Sequence, residues 1–375
     1  MAGGILILSS DTGGGHRSAA QAITEAVARL GGPPVEMVDA LAQGRFPVNC
    51  SPRLYALTTL YAPSLWGWAF HLTNAPLRTR FVLRTISLFI EKNLKELLQE
   101  KKPEAIVSVH PLINQAVAGA MGEVGSEAPF IIVGTELINV HRAWACPGAR
   151  YYLMPTRQAK EALLRYGVPE EKVKLIGPPL KPAFSEEKRS RAELKGALEL
   201  NPTRPVVLFV SGGEGTGRVH DFVQALAGAG LEMQLLVITG RNRKLKARLD
   251  EIRFAFPARV YGFVEDMPAL MHAADLIVTR AGSITVSEAL ACALPLVFTG
   301  ALPGQEEGNI EWVVGAGAGR VAETPPHLVA VLRELLADEE ALAKMSERAA
   351  SLIKRCAVWE IAAFIINAAR EASKR

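Results

Sequence analysis

The residues best placed to do chemistry lie in four glycine-punctuated stretches. The first, Asp11-Thr12-Gly13-Gly14-Gly15-His16, follows an apolar run and opens a helical pattern. Successive glycines let a ligand approach the backbone closely, and a helix start offers unpaired N–H groups and positive potential. The spacing is not the GxGxxG of dinucleotide folds. Asp11 and His16 are the ionisable side chains at the mouth of that first strand, where a general base would be placed. The second stretch, Ser211-Gly212-Gly213-Glu214-Gly215-Thr216-Gly217, also follows an apolar run, VVLFV. Two such loops at the tops of successive α/β domains point to a phosphate-bearing ligand.

The third stretch runs from Thr279 to Leu290. Gly282, Ser283 and Thr285 put small donors at a helix start, where N–H and hydroxyl groups could hold a diphosphate without a metal. Glu288, in the first turns of that helix, could accept both hydroxyls of a ribose. The fourth, Pro303-Gly304-Gln305-Glu306-Glu307-Gly308-Asn309, is dense in carboxamides and carboxylates, the paired donors and acceptors that sugar hydroxyls need. Gln305 and Asn309 lie one turn apart if this segment is helical.

A further segment carries surface chemistry. Leu54 to Leu77 has no Lys, Arg, Asp or Glu and holds Tyr55, Tyr61, Trp66, Trp68 and Phe70. Pro63, Gly67, Pro76, His71 and Asn74 would leave polar groups stranded in hydrocarbon, so a membrane span is disfavoured. The segment reads either as an interfacial or acceptor-binding stretch or as a buried helix pair. Between Leu41 and Lys95 there are seven Lys or Arg, Arg78 and Arg80 among them, against the single acid Glu91, a bias suited to an anionic surface.

The elements that must position these groups alternate along the chain. ILILSS, a helix from about Ser18 to Leu30, PVEMVDA, a helix near Leu94 to Glu100, AIVSV and FIIVG have the rhythm of a parallel sheet wrapped by helices. After a Pro-rich, charged stretch the rhythm restarts with PVVLFVSGG, MQLLVITG, ARVYGFV, LIVTRAG and PLVFTG. Two Rossmann-like α/β domains are therefore expected, residues 1–180 and 181–350, facing across a ligand cleft. An amphipathic helical region from about Ala341 to Lys374 closes the chain, and its last part, residues 351–375, could pack back on the N-terminal domain.

Composition agrees. A 375-residue chain that is nearly half apolar exceeds one ordinary core. Four scattered cysteines give neither a disulfide framework nor zinc spacing, and the start lacks the marks of a signal peptide, so a cytoplasmic setting is expected. A net charge of +4 is too small to imply nucleic-acid binding.

With these motifs in order, the chain resembles glycosyltransferase family 28 and, within it, the plant monogalactosyldiacylglycerol synthases and bacterial processive diacylglycerol glucosyltransferases. SDTGGGH, GTELINVHRAW, KVKLIGPPLKPAF, SGGEGTG, GFVEDMPALMHAADLIVTRAG, SEALACALPLV and PGQEEGN carry the likeness over nearly the whole chain. The peptidoglycan GlcNAc transferase is a more distant likeness. The resemblance implies a GT-B fold, with acceptor bound by the N-terminal domain and a UDP-sugar by the C-terminal one. It implies that Phe263, Val264 and Met267 frame the uracil, that Glu288 holds the ribose, and that Gly213, Gly282, Ser283 and Thr285 bind the diphosphate. Gln305, Glu306 and Asn309 would hold the sugar, and Asp11 and His16 match the family's candidate base and loop histidine. Two positions depart from the pattern: Glu136 stands in GTEL where the family has Asp in TDL, and Lys181 replaces an Arg.

The expected reaction is an inverting transfer of a hexose from a UDP-sugar to a diacylglycerol-type lipid, with Asp11 or His16 as base. No DxD motif is present and no cofactor or metal is expected. Tyr61, Trp66, Trp68, Arg78 and Arg80 would meet the acceptor and the inner face of the cell membrane peripherally. The sugar stays open among glucose, galactose and GlcNAc, and no oligomeric state follows. The alternatives are a UDP-GlcNAc transferase acting on another lipid-linked acceptor, or a UDP-sugar 2-epimerase-like enzyme, which would need no lipid.

Overall fold

The computed structural model describes residues 3–10, 14–211 and 218–372. They form two compact units. The first takes the chain up to Pro182, the tripeptide Pro303–Gln305, and everything from Lys354 onward; the second takes Ala183–Leu302 and Glu306–Ile353.

The first unit holds a six-stranded sheet of β1 (Ile5–Ser9), β2 (Val35–Asp39), β3 (Ala105–Ser108), β4 (Phe130–Val133), β5 (Tyr151–Met154) and β6 (Val173–Leu175), in the order β2-β1-β3-β4-β5-β6. All pairings are parallel, with Ile7 between Met37 and Val107. The ILIL run is continuously apolar because both faces of the sheet are covered. Ile5 and Ile7 join a core with α1 (Gly15–Arg29) and the C-terminal helix Ala357–Ala372, through Ala19, Ile23, Val358, Ile361 and Ile365. Leu6 and Leu8 point the other way, as strand alternation requires, into a second core.

Two helices, α2 (Ser51–Tyr61) and α3 (Pro63–Thr73), lead into α4 (Pro76–Lys101), which together with α5 (Asn114–Val124) packs into that second core. A proline at or next to the first position of α2, α3 and α4 suits a helix start, where its missing N–H costs nothing. The 26-residue α4 is far longer than the helix expected near Leu94 to Glu100. Its buried line, Leu83, Ser87, Ile90, Leu94 and Leu98, faces the core, while Leu77, Phe81, Arg84 and Leu88 share the opposite, exposed face. An apolar outer face blurs the amphipathic period from which a helix is read. Among the described residues no helix is long and apolar enough to cross a membrane.

The second unit repeats the plan with β7 (Val206–Val210), β8 (Gln234–Ile238), β9 (Ala258–Tyr261), β10 (Leu276–Thr279), β11 (Leu296–Phe298) and β12 (Gly319–Val321), ordered β12-β11-β10-β7-β8-β9 and all parallel. The amphipathic region at the C-terminus is two helices. Glu339–Ser351, capped by Asp338, stays with the second unit, and Ala357–Ala372 crosses to the first and packs on α1.

Candidate active site

In an open parallel sheet a ligand crevice opens where the strand order reverses, outside the carboxyl ends of the strands. In the first unit that point lies between β1 and β3. The chain leaves β1 through the glycine loop, of which Asp11 lies outside the described residues, and enters α1 by way of Gly14 at φ +82°, a left-handed conformation that a side chain would strain. His16, in the first turn of α1, is thereby brought against the end of β3.

Its Nδ1 lies 2.7 Å from the Val109 carbonyl oxygen. A carbonyl can only accept, so Nδ1 carries the hydrogen and the lone pair is on Nε2. Burial lowers the His16 pKa to about 4, the Val109 carbonyl only partly opposing it. A neutral imidazole with a free Nε2 is a proton acceptor. His110, just past β3 and 3% exposed, stacks edge-on at 4.5 Å from His16 and is likewise held neutral by burial.

The next strand end adds a carboxyl. Thr135 and Glu136, both buried, follow β4. The Thr135 Oγ1 is 3.2 Å from His16 Nδ1 and donates to Glu136 Oε2 at 3.4 Å. Burial raises the Glu136 pKa to about 7, opposed in part by the Thr135 hydroxyl that donates to it and by the nearby Trp144 indole, its own backbone and Gln305. Trp144 Nε1 is buried without a well-formed hydrogen bond, as are both side-chain polar atoms of Asn114, after β3. His110, Asn114, Thr135 and Trp144 were not among the residues singled out from sequence. His110 could have been noticed as an ionisable residue immediately beyond an apolar strand.

The aromatic segment splits by role. Trp66 is partly buried, meets Tyr55 edge-on at 4.9 Å, and donates its indole N–H to Gln305 Oε1 at 3.2 Å. Tyr61 and Trp68 are exposed, as are Arg78 and Arg80 on α4. The tripeptide Pro303–Gln305 is gripped within the first unit: Asn139 donates to the Gly304 carbonyl at 2.7 Å, and a Cβ on Gly67 would stand 2.5 Å from that of Pro303.

In the second unit the strand order reverses between β7 and β10. Gly213, in the loop after β7, lies outside the described residues. After β10 the helix Ser283–Ala291 starts at Gly282, which supplies no side-chain cap, and the first N–H groups of a helix have no partner within it. Asn309, 1% exposed, buttresses this start, donating to the Ala281 carbonyl at 2.8 Å and to Ser283 Oγ at 3.2 Å. Glu306 accepts Arg280 on both oxygens at 3.4 Å and the Leu302 N–H at 2.7 Å. A sugar hydroxyl would therefore share Glu306 with groups already bonded to it.

Thr285 and Glu288 lie half-buried on the same helix. Ser283, Glu306 and Asn309 are thus one cluster with Gly282, whereas Gln305 sits with Trp66 and Glu136. Phe263, Val264 and Met267 follow β9, which β7 and β8 separate from β10. Phe263 is 64% exposed with the Arg241 guanidinium 5.7 Å from its ring centre.

Comparison with known proteins adds to this geometry. Residues 16–180 match the family described as Monogalactosyldiacylglycerol (MGDG) synthase, and residues 207–359 match the Glycosyltransferase family 28 C-terminal domain. The chain is 33% identical to monogalactosyldiacylglycerol synthase 3, chloroplastic, of Arabidopsis thaliana over 95% of its own length and 79% of that protein's. Among solved structures it is similar to CalG4, the calicheamicin glycosyltransferase, with a TM-score of 0.64 at 14% identity and 100% of both chains covered. It is also similar to the UDP-GlcNAc 2-epimerase of Neisseria meningitidis, with a TM-score of 0.62 at 13% identity, covering 98% of this chain and 100% of that one. These two likenesses show the fold, which is GT-B; a fold shared by a transferase and an epimerase does not choose a reaction.

Proposed function

Since this chain belongs to the monogalactosyldiacylglycerol synthase family of glycosyltransferases, we propose that it moves a hexose from a UDP-sugar to the free hydroxyl of a diacylglycerol, with inversion at the anomeric carbon. The observation that carries the reading is the His16 imidazole at the β1–β3 switch point, its Nδ1 hydrogen committed to the Val109 carbonyl, which leaves the ring's lone pair on Nε2. The acceptor hydroxyl gives its proton to Nε2, its oxygen bonds the anomeric carbon, and the bond to UDP breaks with its electron pair leaving on the diphosphate. The uncapped N–H groups at Gly282 and Ser283, buttressed by Asn309, would receive that developing charge, and no divalent metal is required.

The exposed face of α4, with Leu77, Phe81 and Leu88 interleaved with Arg80 and Arg84, and Trp68 on α3, would lie in the headgroup zone of an anionic bilayer. Peripheral docking would bring the enzyme to an acceptor that does not leave the membrane.

The test crosses UDP-galactose, UDP-glucose and UDP-GlcNAc with diacylglycerol vesicles. Glycolipid that forms only when lipid is present, at a rate lowered about 100-fold or more by His16→Ala, is the expected result. Conversion of UDP-GlcNAc without any acceptor would replace the transferase with an epimerase.

A further inference from the structure

The burial that keeps His16 neutral also opposes the imidazolium it must become when it takes a proton. Something has to offset that charge for the base to work. Once Nε2 is protonated, positive charge spreads to the Nδ1–H side of the ring, which faces the Val109 carbonyl and the Thr135 hydroxyl. Thr135 can accept from Nδ1–H there while donating its own hydrogen to Glu136. The second bond is long for O–H···O, as catalytic hydrogen bonds commonly are before substrate arrives.

Glu136 has no evident structural reason to be an acid. It is 7% exposed, and the described groups facing it are the Thr135 hydroxyl, the Trp144 indole, the Gln305 carboxamide and its own backbone N–H, none of which is cationic. A buried carboxylate without a cation is costly, and at a strand end beside a base such a group is more often functional than structural. From the end of β3, His110 faces His16 but is uncharged, so it neither supplies nor cancels the missing compensation.

We infer that Glu136 is a positioning residue for the transfer: acting through the Thr135 hydroxyl, its carboxylate stabilises the charge His16 gains as it takes the acceptor's proton. Glu136 itself neither gains nor loses a proton in the step. The inference rests on His16 being the base. Because burial holds the Glu136 pKa at about 7, the carboxylate is available above that pH and lost below it. The Thr135 hydroxyl bridges the two groups by contacts of 3.2 and 3.4 Å, so the charges lie no farther apart than the sum of the two, and at an effective dielectric of about 20 the interaction is worth on the order of 100-fold in rate.

The experiment measures kcat and kcat/KM for diacylglycerol between pH 5.5 and 9, at saturating UDP-sugar, for wild type, Glu136→Gln, Thr135→Val and His16→Ala. The wild-type rate should fall below about pH 7. Glu136→Gln should lower kcat about 100-fold at pH 8 and abolish that acidic limb, with UDP binding unchanged. Thr135→Val, nearly the same size, should reproduce the loss and keeps the test open if Glu136→Gln does not fold. A Glu136→Gln enzyme that keeps the acidic limb, or a Thr135→Val enzyme within about threefold of wild type, overturns the inference. If His16→Ala is inactive in either case, only the role of Glu136 has failed; if His16→Ala keeps the wild-type rate, the base assignment falls and takes the inference with it.

Discussion

Replacing Asn309 by alanine removes the side chain that ties the helix Glu307–Gly315 to the helix start at Ser283. Asn309 is almost wholly buried, and its stronger bond, 2.8 Å, goes to the carbonyl of Ala281, itself 0% exposed. Truncation leaves that carbonyl buried without its donor, at a cost of about 1 to 3 kcal/mol, and also loses the 3.2 Å bond to Ser283. Against this, Asn309 Oδ1 is already buried without a partner, so removing it recovers part of the penalty. The balance is a loss of about 1 to 2 kcal/mol, which for a unit of this size lowers Tm by about 2 to 8 °C. Scanning calorimetry of the full chain should show the shift in the transition of the second unit.

The spare acceptor on Oδ1 sets the kinetic expectation. If the donor sugar uses it, Asn309→Ala raises the donor KM roughly 2- to 10-fold, the worth of one hydrogen bond, with kcat little changed. Asn309→Asp should be worse, since it sets a carboxylate oxygen against the Ala281 carbonyl. A melting temperature within about 1 °C of wild type, together with an unchanged donor KM, would refute the buttress.

Three further outcomes are expected. The His16 and His141 pKa values are lowered to about 4 and that of His110 is lowered too, so the stability tied to these rings is full above 6.5 and drains as pH falls toward 4. Glu136, raised to about 7, works oppositely between 4.5 and 7, but three groups outweigh one; denaturant melts should show stability rising from pH 4 to 6.5, more steeply in Glu136→Gln, and a fall over that range would contradict the assignment. Phe81→Asp should weaken partition onto anionic vesicles roughly 10-fold or more at any salt, whereas Arg80→Gln with Arg84→Gln should weaken it mainly at low salt; binding unaffected by both removes the docking face. Turnover should survive EDTA, and activity lost to EDTA and restored by magnesium or manganese would assign the leaving diphosphate to a metal instead.

Much of the scaffold is legible along the chain because parallel strands covered on both faces leave unbroken apolar runs, as in ILIL and VVLFV. Three strands are absent from the sequence reading: β5, which is interior and mostly buried but only four residues long, and β6 and β12, which are short and partly polar. Of β6 only Val173 is buried, and of β12 only Gly319, because each lies at a sheet edge. The period of Val358, Ile361 and Ile365 marks an amphipathic helix, but its spacing cannot say that the partner is α1, some 340 positions away. Interruption after Ser351, and packing against α1, divide the terminal region between two units.

The site divides in the same way. Residue types and local order are enough to single out a candidate base after β1 and a candidate anion-binding helix start after β10, because glycines, small donors and the strand-to-helix turn act within a few residues of one another. The state of that base depends on atoms far off in the chain. His16 receives its tautomer from Val109, 93 positions on, and its hydroxyl contact from Thr135, 119 positions on. Tertiary folding alone closes those distances and withdraws Glu136 from water, and desolvation is what turns an ordinary carboxyl into one that titrates near neutrality.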